Sequence, residues 1–162
     1  MLRIGRADVQ QSTADGVTQS VWKARQALGV ALQTLQICEQ HMEIANPQPA
    51  SSERKFGSFN DRQEPQRLLS HLRTRVNECL YNLALADTMD CTRDRRKVLT
   101  EAKGKLHEVM GRTVATGDQL PWPLNGHVLK LQGRVLLELG HPQEAAELYV
   151  LPLNVEYYVQ SM

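Results

Sequence analysis

The sequence predicts an all-α chain of about five helices folded as antiparallel hairpins, and three observations predict it. Apolar residues recur at steps of three and four along two long stretches and two shorter ones. The prolines fall between those stretches or in their first turns rather than inside them, and no alternating pattern of useful length competes for strand. With 162 residues and 41% hydrophobic content, the chain can bury one core, or a short stack of repeated units, without disulfides.

The first fifteen residues, with Arg3 and Arg6 but also Asp8 and Asp15, are expected to form a flexible terminus rather than an organelle presequence. A long helix is then expected over 16–45. Its stripe is Val21, Ala24, Leu28, Ala31, Leu35, Cys38, Met42 and Ala45, widened by Leu32 and Ile44. It stops where Pro47 disfavours helix at Asn46. The segment 46–64 has Pro47 and Pro49 near its start, Pro65 just beyond its end and no apolar period, so it reads as a linker, with Phe56 and Phe59 its large apolar groups.

A helical hairpin is expected over 65–110. Pro65 suits a first turn, and Leu69, Leu72, Val76, Cys79, Leu83 and Ala86 form the stripe of its first helix. Thr92 is the expected cap of the second, which turns Val98, Leu99, Ala102, Leu106 and Val109 inward and is expected to end at Gly111. A connector rich in glycine and proline, 111–126, leads to a last hairpin, 127–151, followed by an apolar tail, 152–162.

In the last hairpin Gly140 can take the left-handed conformation that ends a helix, and Pro142 is pre-set for the first turn of the next. Gly133 and Ala145 lie at comparable distances from that turn, where a larger side chain would hold two helices apart. Tyr149 shares a face with Ala145. Together Leu129, Gly133, Leu136, Leu139, Gly140, Ala145 and Tyr149 resemble the tetratricopeptide repeat, a helical hairpin of about 34 residues that stacks into a solenoid. Leu129 stands where the family often has tryptophan, Leu136 where it often has an aromatic residue, and Pro152 where it usually has alanine. Upstream the match weakens, since the hairpin 65–110 lacks the Leu-Gly turn and the 43 residues from Ala102 to Ala145 exceed the usual period.

The resemblance implies a short solenoid of stacked hairpins that binds a protein or peptide. It places the contact residues on the inner face of the first helix of the repeat, at His127, Lys130, Arg134, Leu137 and Glu138. That face is mildly basic and suits an acidic peptide or C-terminus. Members that bind chaperone tails carry asparagine four residues after the lysine; Arg134 stands there instead, which argues against that ligand. Beyond the repeat, Leu153, Val155, Tyr157 and Tyr158 leave the end of the stack apolar, where solenoids usually finish with a polar cap. The tail therefore either meets a larger partner or a second copy, or folds back as a short cap.

Composition narrows the alternatives. The net charge of +1 gives no field to gather nucleic acid or anionic membrane. The basic run Arg93, Arg95, Arg96 and Lys97 is interrupted by Asp94 and has no stacking aromatics beside it. No stretch approaches the ~20 apolar residues of a membrane span. Cys38, Cys79 and Cys91 are odd in number and far apart, which suits a reducing, cytoplasmic or nuclear setting. Cys38 and His41 do not make a metal site, and Cys38 is expected to be buried on the stripe. Asp87, Asp90 and Asp94 lack the pattern of a calcium loop. No phosphate loop or catalytic motif is present, so neither cofactor nor enzymatic activity is expected, although dispersed catalytic residues leave no motif. The alternative from another class is a structural protein that self-associates through the stripe from Val21 to Ala45.

Overall fold

The computed structural model describes residues 5–45 and 63–148, with side chains from residue 16 in the first segment and 64 in the second. The chain is all-α: α1 spans Gly5–Ala45, α2 Gln63–Met89, α3 Arg95–Thr116 and α4 Leu124–Leu139, and α5 covers 142–148. Among the described residues there is no strand.

Neighbours in sequence pack on one another: α1 on α2, α2 on α3, and α3 on α4. Their directions follow from ion pairs. Arg25 of α1 meets Asp87 and Asp90 at the end of α2, while Glu39 and Glu43 of α1 meet Arg73 near its start, so α1 and α2 are antiparallel. Asp87 pairs with Lys105 and Asn77 with Arg112, which makes α3 antiparallel to α2. α2 also touches α4, and the two run parallel: Tyr81 stacks on His127, and further along Arg95 bridges the Thr88 carbonyl to Glu138. A contact between helices two apart occurs in stacked hairpins and in small bundles alike.

The core joins α2 (Val76, Leu80, Ala84), α3 (Leu99, Ala102, Leu106, Val109) and α4 (Leu124, Val128, Leu131, Val135). Leu32 and Leu35 of α1 pack against it, half-buried. The face of α1 that carries the stripe expected from the sequence is thus turned toward α2.

Several boundaries differ from expectation. α1 begins at Gly5 rather than near residue 16, so helix includes residues expected to be a flexible terminus. By the pairings of Arg25 and Glu39, α2 ends opposite Lys23, and α1 runs on past it. Asp94, not Thr92, caps α3: its carboxylate accepts from the Lys97 N–H at 3.1 Å. Thr92 is taken up by Asp90, whose Oδ1 accepts from its N–H at 2.9 Å and its hydroxyl at 2.6 Å. α3 runs through Gly111, whose φ is not in the left-handed region, and ends at Gly117, where φ is 70°. The connector therefore shrinks to 117–123, and α4 starts three residues before His127. α2 opens at Gln63; the rest of the expected linker, including Phe56 and Phe59, lies outside the described residues.

The turn after α4 is built as its residues suggested. Gly140 has φ 86°; its N–H reaches the Leu137 carbonyl at 3.1 Å, and the His141 N–H reaches that of Leu136 at 2.9 Å. Gly133, Leu136 and Ala145 are buried, and Leu129 and Leu139 are half-buried. Tyr149 lies outside the described residues, as do Leu153, Val155, Tyr157 and Tyr158.

Candidate partner-binding surface

Positions 127, 130, 134, 137 and 138 fall on one side of α4 because they are spaced three and four apart, beside the face that buries Val128, Leu131 and Val135. All five are exposed. The His127 ring stacks on Tyr81, with centroids 6.1 Å apart, which ties this face to α2. Lys130 has no ion-pair partner among the described residues. Arg134 and Arg95 share one carboxylate, Glu138: Arg134 Nε lies 3.1 Å from Oε1, and Arg95 donates to Oε2 from Nε at 3.1 Å and from Nη2. Two guanidiniums on one carboxylate leave one positive charge, and Lys130 adds another. Leu137 contributes an exposed apolar group beside them.

That α2 and α1 continue this surface was not foreseen from the sequence. An open apolar groove of about 760 Å³ is lined by Val17, Val21, Ala24 and Leu28 of α1 and by Leu85, Ala86 and Met89 of α2. The two tethers between α2 and α4 set the register, so Lys130 and Arg134 stand level with Leu85 and Met89 along the stack. Only one signal pointed to the groove: the apolar stripe of α1 begins before α2 reaches it.

Other candidate groups have internal tasks. Arg93 pairs with Glu101 at 2.6 Å and Arg95 with Glu138, so half of the basic run TRDRRKV is spent within the fold. Asp87, Asp90 and Asp94 hold Lys105, Thr92 and the start of α3, respectively. Cys38 is exposed, contrary to the expectation of a buried thiol, because it lies at the edge of the stripe. Burial pushes the half-buried Cys79 thiol up. Among the described residues no three His, Cys, Asp or Glu side chains group as metal ligands, and no helix is long and apolar enough to cross a membrane.

Among the described residues four carboxyls are held below the usual carboxylate range. The largest cause is the Arg95 hydrogen bond for Glu138, that of Arg93 for Glu101, that of Lys103 for Glu144 and that of the Thr92 hydroxyl for Asp90. A carboxyl lowered in the folded chain contributes stability that is complete above its unfolded value and is lost as pH falls through the folded one. The melting temperature is therefore expected to be flat near neutrality and to fall below about pH 4. Glu138→Gln should reduce that slope, as thermal unfolding across pH would show.

Comparisons with protein-family models, with curated proteins and with solved structures returned no match to this chain.

Proposed function

We propose that the chain is a non-enzymatic adaptor or scaffold unit that holds an acidic protein segment against the shared face of α2 and α4. One observation carries the reading: the outward side of α4 presents Lys130 and the surplus charge of Arg95 and Arg134 beside exposed Leu137, level with an apolar groove. A surface of this kind offers apolar area for affinity and cations for orientation. The stacked hairpins, the Gly140 turn and the buried Gly133 and Ala145 support the resemblance to tetratricopeptide repeats, in which the first helix of each pair lines the binding face.

The test is affinity capture with mass spectrometry, followed by titration of the captured partner. The double variant Lys130→Glu/Arg134→Glu is expected to weaken binding at least about 10-fold, because reversal replaces attraction by repulsion. Its helicity should be unchanged, since both side chains point to solvent. A chain ending at Leu151 should retain the partner. Undiminished binding by the double variant would overturn the reading, and loss with the truncation alone would move recognition to the tail.

A further inference from the structure

Half of the exposed large apolar side chains among the described residues, five of ten, lie on α1: Val17, Trp22, Val30, Ile37 and Ile44. Val17 belongs to the groove. Val30, Ile37 and Ile44 do not; they are seven residues apart, hence on one stripe, and that stripe lies on the side of α1 turned away from α2. Ile44 was expected to widen the core face, but two turns beyond Ile37 it falls on the outer one. These side chains are 66%, 55% and 78% exposed. Moreover, α1 carries no charge on either side from Gln26 to Cys38.

We infer that this outer face of α1 is where two copies of the chain pair antiparallel about a twofold axis through Ile37. The spacing is self-complementary. A twofold at Ile37 sets Val30 against the second copy's Ile44 and Ile37 against the second copy's Ile37, giving three apolar layers from one stripe. The flanks agree with that register. Gln40 comes level with Thr34 of the second copy, and His41 with its Gln33, so no charge faces a like charge. The outer-face positions from Val30 to Ile44, with Gln33, Thr34, Gln40 and His41 between the apolar ones, include no Asp, Glu, Lys or Arg to attract an oppositely charged partner, whereas about this axis each of them meets another of the same set.

Three exposed apolar side chains per copy make a small patch beside a standard interface, which takes ~800 Å² and about 20–30 residues from each partner. The dimer is therefore reversible, and its share rises with concentration. The acidic-segment surface lies on α2 and α4, so each copy keeps its own, and the pair would hold two such segments.

Sedimentation of the full chain over about 1 to 500 μM should show the mass climbing from that of one copy toward that of two. Ile37→Lys and Ile37→Asp, each at an exposed position, should stay single with unchanged helicity, and Val30→Lys should behave likewise. An equimolar mixture of the Lys and Asp variants should associate again, because the axis places residue 37 of one copy against residue 37 of the other. A wild type that is single throughout, or variants that associate as it does, would overturn the inference. Variants that stay single when mixed would overturn the register.

Discussion

Lys105→Met is expected to cost about 3 kcal/mol of folding stability, read from chemical denaturation, although the lysine sits in a partly exposed position on α3. The reason lies with its partner. Asp87, in the last turn of α2, is fully buried, and Lys105 Nζ donates to its Oδ2 at 2.5 Å. Arg25 Nε stands 3.0 Å from the other oxygen without the alignment of a hydrogen bond. Without Lys105 the carboxylate stays buried, with charge compensation from one side and no hydrogen bond. Breaking such a pair costs more than the pair contributed, because the remaining charge has lost its water. Lys105 is itself about a quarter exposed, which sets the loss at the lower end of the range for such pairs. The double variant Lys105→Met/Asp87→Asn removes the orphaned charge at nearly constant volume, so at least half of the stability should return. A double variant as unstable as the single one would mean that the lysine stem, not the charge, holds α3 in place.

This cluster also explains how the proposed binding surface is held. Asp87 joins α1, through Arg25, to α3, through Lys105, at the end of α2 where the groove opens. At the other end Arg112 of α3 binds the buried Glu39 of α1 at 2.6 and 2.7 Å and Asn77 of α2 at 3.1 Å. Arg73 ties Glu43 to Asp118 in the connector. Apolar packing alone would let α1 slide along α2, since one turn of Leu and Ala resembles the next. Charged clusters at both ends of the contact fix the register, and with it the walls of the groove.

Periodicity made the helices legible, and local chemistry made one turn legible. Leu69, Val76, Leu83, Val98, Leu106 and Val109 face inward as their spacing predicted, because a stripe of large apolar groups has nowhere else to go. Gly140 ends α4 because the residues on either side leave the left-handed turn as the local solution. Gly111 and Thr92 misled for the same reason as each other. Glycine can end a helix and threonine can cap one, but neither must. Gly111 is carried through by the packing of α3 on α2, while Asp94 competes successfully for the cap and Asp90 engages Thr92. The positions on α4 were legible as one face. What lies beside that face was not, because Leu85 and Met89 are brought level with Lys130 and Arg134 by Tyr81 and Arg95, partners more than 40 residues away in sequence. The outer stripe of α1 was overlooked for a different reason: the expectation that Ile44 widens the core face neglects its spacing from Leu28 and Leu35, which sets it on the opposite side of the helix.

Leu106→Ala is expected to be at least as damaging, at about 3 to 4 kcal/mol, and the way it unfolds tests the architecture as well as the packing. Leu106 is fully buried on α3, the helix that packs on both α2 and α4, so the lost methyl groups leave a cavity bounded by neighbours that cannot all move in. A solenoid whose units touch nearest neighbours alone can melt from one end while the other stays folded. Here the buried cluster spans α2, α3 and α4, and α1 is bonded by side chains to both α2 and α3. Removal of a central contact should therefore lower a single transition rather than split it. Two tryptophans report the two ends: Trp22 on α1, and Trp122 between α3 and α4. In the Leu106→Ala background, Trp22→Phe and Trp122→Phe leave one reporter each, and their fluorescence should change at the same denaturant concentration. Coincident curves require α1 to be an integral part of the folded unit, with the groove between α1 and α2 as stable as the core. If the Trp22 signal is lost first, α1 is a separable arm, and the groove exists only while that arm is docked.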